Sequence, residues 1–198
     1  MSVEVRQNIY AAWLDGDATS VEALRSLCAD YEEIDTSYKD FERIRATVRA
    51  GRDEMRNTLL SWLPQDLTGA RVLDAGCGLG DGLIALRQAY PLARLEGLEW
   101  SRPLRWLCAR RCPWARVAQG DLWRADWSGY QLVYLFQRPE SMPRAVEKAE
   151  AELRRGAWLV SLEFEARELI PSAILTCRDG RPVWMYQVPF NRRANGRG

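Results

Sequence analysis

Residues 71–82 read RVLDAGCGLGDG, and this stretch constrains the fold more than any other in the chain. It opens with a short apolar strand, Val72-Leu73, followed by an acid, Asp74. Glycines then recur at every second position, Gly76, Gly78, Gly80 and Gly82, ahead of the helix-like run Leu83-Ile84-Ala85-Leu86. A strand, a glycine turn and a helix start let a backbone approach a nucleotide-like ligand closely, because glycine permits positive φ and carries no Cβ. The spacing is GxGxG, not the GxGxxG of a dinucleotide fold. An acid just ahead of the glycines repels a pyrophosphate and suits a ligand with ammonium and sulfonium charge.

The chain has 198 residues, the size of one domain with an appended segment, and its 47% apolar fraction is ordinary for a globular core. A net charge of +1 predicts no global attraction to nucleic acid or to a membrane. The start, MSVEVRQNIYAAW, lacks a basic segment followed by an apolar one, and no apolar run approaches a membrane span. The expectation is a cytoplasmic protein with no signal peptide and no transmembrane segment. Five cysteines are scattered without a CxxC pair, and there is no histidine. Together these predict reduced, packed thiols and no metal site. The absence of histidine also excludes a Ser-His-Asp or Cys-His mechanism and any histidine general base.

In chain order, residues 2–14 and 20–30 read as helices, the second with Thr19 and Glu22 as a capping box. A long helical pattern over 38–63 puts Phe41, Ile44, Val48, Met55, Leu59 and Leu60 on one side, and five arginines mostly around the rest. From residue 71 the period becomes strand, helix, strand, the signature of a parallel sheet. Strands are expected at 71–74, 95–99, 115–118, 131–136 and 158–164, and helices at 82–90, 103–111 and 142–155. Asp179-Gly180 marks a hairpin between strands 173–177 and 183–188. The link 165–172 leaves little room for a helix, and the polar tail 191–198 (NRRANGRG) is expected to fray.

The run VLDAGCGLG resembles motif I of class I S-adenosylmethionine (SAM)-dependent methyltransferases. That resemblance implies an α/β fold, a Rossmann-like sandwich with a mostly parallel sheet and an antiparallel C-terminal hairpin, preceded by N-terminal helices. It divides the chain into a helical segment, 1–66, covering the pocket, a SAM-binding domain, 67–190, and the tail. It also implies a role for each strand end. Asp74 would hold the methionine ammonium, directly or through water; its alternative is an acid that caps the glycine turn. Gly76, Cys77, Gly78 and Gly80 would lie against the ligand. Glu99, ending strand two, would accept both ribose hydroxyls, or else is a surface glutamate. Trp100 would pack on the adenine face or in the core. Asp121 would accept from the adenine amino group while the Leu122 N–H donates to a ring nitrogen; alternatively Asp121 is a turn residue.

Strand four ends in YLFQRPES, the edge that in class I enzymes faces the transferred methyl. Glu140 and Glu163 are the candidate bases, and Tyr134 and Gln137 the candidate positioning groups. For Tyr134 the competing reading is a core position, and for Glu163 a strand terminus. Two further resemblances meet at motif I. Residues 38–78 resemble the front of bacterial magnesium-protoporphyrin IX O-methyltransferases, through RATVRAGRD, LLSWLP and DLTG. Residues 98–190 resemble a group of small bacterial class I methyltransferases. More distantly, GDLW, VYLF and SLEF have spacing similar to that of mitochondrial protein-lysine methyltransferases. The expected reaction is methyl transfer from SAM to an N or O nucleophile of an undetermined acceptor, a protein or a small molecule. A porphyrin enzyme and a non-catalytic SAM- or RNA-binding protein are the alternatives. Residues 100–120 carry five arginines and interleaved tryptophans with no acid among them; a basic exposed helix face is favoured there over nucleic-acid binding.

Overall fold

The computed structural model describes residues 66–177 and 180–193. The three helices expected before residue 66, their role as a pocket cover, and tail residues 194–198 lie outside the described residues.

Strands and helices alternate through the main layers: β1 (Arg71–Ala75), α1 (Asp81–Ala89), β2 (Arg94–Glu99), α2 (Arg102–Arg111), β3 (Arg116–Gln119), β4 (Leu132–Leu135), α3 (Met142–Glu152) and β5 (Trp158–Leu162). A two-residue strand β6 (Leu169–Ile170) leads to β7 (Ala173–Thr176), β8 (Pro182–Gln187) and a two-residue β9 (Asn191–Arg192). The large sheet has seven strands in the order β3-β2-β1-β4-β5-β8-β7. Strands β1 to β5 pair in parallel, and β8 runs antiparallel between β5 and β7. This is the sandwich and terminal hairpin expected from the sequence.

Parallel strands flanked by helices are buried on both faces, so β4 (LVYL) and β5 (WLVSL) read as nearly unbroken apolar runs and every residue of both is buried. Side chains alternate between two cores. Val72, Leu95, Tyr134 and Val160 meet α1 and α2 through Leu83, Leu86 and Cys108. Leu73, Val133 and Leu159 meet α3 through Met142, Ala145, Val146 and Ala149. The cysteines at 77, 108, 112 and 177 are buried and in no disulfide.

Element boundaries differ from expectation where a single residue turns the chain. β5 stops at Leu162 because Glu163 takes φ 69°, with the Phe164 N–H donating to the Leu162 carbonyl (2.8 Å). That is a tight γ-turn of the strained, positive-φ kind. α3 stops three residues early because Leu153 is extended and Gly156 takes φ 86°. The expectation of a fraying tail is corrected for its first residues. Asn191 and Arg192 pair with Ile170 and Leu169, and Arg192 and Arg193 form ion pairs with Glu150 and Glu165. The link after β5 holds the short strand β6 and no helix, as its length predicted.

Candidate functional site

In an open parallel sheet a ligand binds beyond the strand carboxyl ends, where the strand order reverses. Here that point lies between β1 and β4, with β2 on the far side of β1. The glycine loop after β1 is tied down along its length. The Gly76 and Cys77 N–H groups both donate to the Leu98 carbonyl (2.8 and 3.0 Å). At the far end Arg111 of α2 donates to the Leu79 carbonyl (2.5 Å) and forms an ion pair with Asp81 (2.8 Å). Gly80, the residue before α1, has φ 88°, and a Cβ there would sit 2.9 Å from both the Cys108 and the Cys112 sulfurs. Only glycine fits that combination of conformation and contact.

Asp74 and Glu99 are buried at 2% and 5% exposure, so both are costly unless partnered. The Leu83 N–H donates to the Asp74 carboxylate at the first turn of α1, while Asp74 Oδ2 has no partner. Burial, with Glu99 and Asp81 nearby, pushes its carboxyl up to about 8. Asp74 thus has one contact at the first turn of α1 and an Oδ2 without a partner, the two features its alternative roles need. A Cβ on Gly82 would lie 2.5 Å from Asp74 Oδ2, so the close helix–strand approach rests on that glycine.

Glu99 bridges two loops. Gly78 N–H donates to Oε2 (2.8 Å) and Ser101 N–H to Oε1 (2.9 Å). Burial raises its pKa against these backbone donors and that of Trp100. A carboxylate has about four lone-pair sites, so capacity remains for a ligand's hydroxyls. Trp100 is 53% exposed, which removes the core alternative for it. Asp121 Oδ1 accepts from Trp123 N–H (2.8 Å), the turn role weighed for it. Leu122 and the Gln137 amide both approach Gly76: a Cβ there would lie 3.6 Å from Leu122 Cδ2 and 2.5 Å from Gln137 Nε2. The glycine loop thus has Glu99 at Gly78 and Leu122 and Gln137 at Gly76, with Trp100 next to Glu99 in the chain. These residues suit a SAM-like ligand: a buried carboxylate with acceptor capacity to spare, a glycine-rich loop and an exposed indole.

On the acceptor side the outcome is mixed. Tyr134 does not face the cleft; it is 3% exposed, its ring edge lies against Gly82, and burial raises its hydroxyl well above the usual range. The reason is strand alternation, which turns residue 134 to the α1 side with Asp74, its register partner. Gln137 reaches the cleft, Glu140 is exposed on a short 3-10 turn (Pro139–Ser141), and Glu163 is exposed at its γ-turn. Sequence reading missed the aromatic pair beside them. Phe136 and Phe164 stack at 5.7 Å with rings 13° apart, and Phe136 is 48% exposed. Their positions just past two adjacent strand ends were the available signal. The corner holding Phe164 is fixed by Ser161 Oγ donating to the Phe164 carbonyl (2.7 Å) and Trp184 Nε1 donating to that of Glu163 (3.1 Å). Among the described residues no group of acids or thiols is arranged to hold a metal ion, and no helix is long and apolar enough to cross a membrane.

The family profile described as the ANTKMT methyltransferase domain matches residues 74–173, half of the chain. The chain belongs to this methyltransferase family. It is 30% identical over 131 residues to the mouse (Mus musculus) lysine N-methyltransferase of the ATP synthase C subunit, covering 61% of this chain and 51% of that protein. It is 48% identical over 56 residues to magnesium-protoporphyrin O-methyltransferase of Rhodobacter capsulatus, covering 28% of this chain and 25% of that one. The chain therefore spans about half the length of the first relative and a quarter of the second. In fold it is similar to an RNA methyltransferase from Salinibacter ruber solved with S-adenosylhomocysteine, with a TM-score of 0.54 and 23% identity over 64% of this chain and 84% of that one. Both resemblances read in the sequence, one to porphyrin and one to protein-lysine methyltransferases, thus recur among these relatives.

Proposed function

We propose that this methyltransferase-family domain transfers a methyl group from SAM to an amine nitrogen, with a protein lysine as the acceptor class. The single observation that carries the cofactor part is Glu99: a buried carboxylate at the end of β2, tied to the glycine loop through Gly78. In this reading Glu99 accepts the ribose hydroxyls. Gly76 and Gly78 let the loop backbone, with that of Cys77 and Gly80, lie against the ligand, Trp100 offers its face, and Asp121 and Leu122 close the adenine end. Asp74 acts through the loop by anchoring the first turn of α1. The lysine part is supported by the mouse relative, which carries that activity in its name and matches over half its length.

When bound, SAM supplies a methyl group already activated on a sulfonium, so that the new N–C bond forms as the S–C bond breaks. The protein's work is to align the amine, make it neutral and exclude water. A lysine amine is protonated near neutral pH, with a reference pKa of about 10.4, so a proton must leave before attack. With no histidine in the chain, this reading takes the exposed carboxylates Glu163 and Glu140, just past the ends of β5 and β4, as the groups that accept it. The Gln137 amide oxygen can orient the amine, and the Phe136–Phe164 stack is an apolar wall that strips water from an alkylamine chain.

Tritium-labelled SAM incubated with the chain and a protein extract is expected to yield labelled methyl-lysine after acid hydrolysis. Label passing instead to magnesium-protoporphyrin IX, with none on lysine, would replace this reading by the porphyrin one. Bound SAM with label on neither would support a binding protein that has kept the fold.

A further inference from the structure

The opposite edge of the sheet, away from the cleft, carries a feature that methyl transfer does not use. The connections α1–β2 and α2–β3 are twin turns of the same form, Tyr90-Pro91-Leu92-Ala93 and Cys112-Pro113-Trp114-Ala115. Each is closed by the same bond: Ala93 N–H to the Tyr90 carbonyl (3.1 Å) and Ala115 N–H to the Cys112 carbonyl (2.9 Å). Proline presets the second position of such a turn, so the third residue projects outward. Those third residues are Leu92, 67% exposed, and Trp114, 38% exposed. A single exposed apolar residue needs no explanation. Two on equivalent turns at the starts of paired strands, each preceded by an exposed proline, form a common apolar edge.

Arginines frame that edge. Arg87 in the last turn of α1 lies over the Trp114 ring at 5.4 Å and links the two turns. Arg94 and Arg116 open β2 and β3, and Arg110 stands in the last turn of α2; all four are exposed. The nearby acids hold partners in their own chain: Glu96 with Arg71, Tyr130 and, at 3.8 Å, Arg116; Asp66 with Thr68; Asp126 with Ser128. With Arg71 included, five arginines stand against the three carboxylates Glu96, Asp66 and Asp126, so among the described residues the edge is net positive although the whole chain is nearly neutral.

We infer that this edge docks on an anionic lipid bilayer, with Leu92 and Trp114 entering the headgroup layer and the four arginines facing acidic headgroups. Tryptophan favours the membrane interface, and basic residues around apolar tips bind acidic leaflets by combined burial and charge. The observations favour lipid over RNA. A leucine tip offers no ring on which a single-stranded base can stack, and Arg87 lies over the Trp114 ring. Docked this way, the cleft at the other end of the strands stays open to solvent.

The test is flotation of the full chain with vesicles of equal parts phosphatidylserine and phosphatidylcholine, against vesicles of phosphatidylcholine alone. Binding is expected to the first only, weakened by added salt. A loss of roughly tenfold or more is expected in Arg94→Glu/Arg110→Glu, and a comparable loss in Leu92→Ser/Trp114→Ser. Both variants are expected to keep the thermal midpoint and SAM affinity; if the apolar pair misfolds, the charge pair carries the test. Absence of binding, equal binding to neutral vesicles, or binding unchanged in both variants would overturn the inference. So would binding of an oligouridylate RNA in place of vesicles, or self-association that the Leu92→Ser/Trp114→Ser pair abolishes.

Discussion

Glu99→Ala is expected to lower SAM affinity by about 100-fold or more. Charge-assisted hydrogen bonds contribute about 1.5–3 kcal/mol each, and the variant gives up two to the ribose. It also leaves the Gly78 and Ser101 N–H groups without their acceptor, in a place where Glu99 itself is only 5% exposed. An orphaned buried donor costs about 1–3 kcal/mol, so the thermal midpoint should fall as well. Titration calorimetry reads the affinity. A SAM analogue lacking the ribose 2′-hydroxyl separates the two effects: it should bind the wild type more weakly than SAM does, and bind the variant as SAM does. Unchanged affinity in Glu99→Ala would remove Glu99 from the site.

The second large effect concerns pH and Asp74. Its carboxyl is pushed from 3.8 up to about 8, chiefly by burial. A carboxyl with a raised folded-state pKa holds a proton that the unfolded chain has released. Its contribution to stability is therefore complete below about pH 4 and is lost as pH rises towards 8, at up to about 1.4 kcal/mol per pH unit. The amide side chain introduced by Asp74→Asn cannot ionise. It would meet the spot where Oδ2 now lacks a partner, but that penalty is the same at every pH. Urea unfolding of the ligand-free protein between pH 5 and 8 should show wild-type stability falling faster than that of the variant, with the variant ahead at the alkaline end. Parallel curves would mean that Asp74 does not titrate in this range.

The sheet was legible because its signals are local and periodic. Motif I fixed β1 and α1, the apolar runs of β4 and β5 fixed two buried strands, and Asp179-Gly180 fixed the hairpin. What escaped depends on contacts between distant residues. The β6–β9 pair joins positions more than twenty residues apart through backbone bonds, and ion pairs tie Arg192 to Glu150 and Arg193 to Glu165; neither leaves a periodic trace. The γ-turn at Glu163 is a non-glycine residue with positive φ, held by Pro182, Ser161 and Trp184, so nothing at position 163 itself announces it.

The site divides in the same way. The position of Glu99 at the end of β2 was readable from the strand pattern, and the structure adds the Gly78 and Ser101 bonds that hold it there. Tyr134 was misplaced because a residue one step from a strand end can point to either face, and alternation turned it into the core. Asp121 bonds to its local turn, the role that competed with ligand contact in the sequence, while Asp74 keeps Oδ2 without a partner. Phe136 and Phe164 lie twenty-eight residues apart in sequence and meet only because β4 and β5 pair, so their stack required the fold.

The central claim is that the glycine loop and Glu99 form a SAM site rather than a generic nucleotide crevice. Calorimetric titration of the purified chain with SAM and, separately, with NAD tests it most directly. Saturable heat with SAM and none with NAD is the predicted result; tight NAD binding with no response to SAM would contradict it.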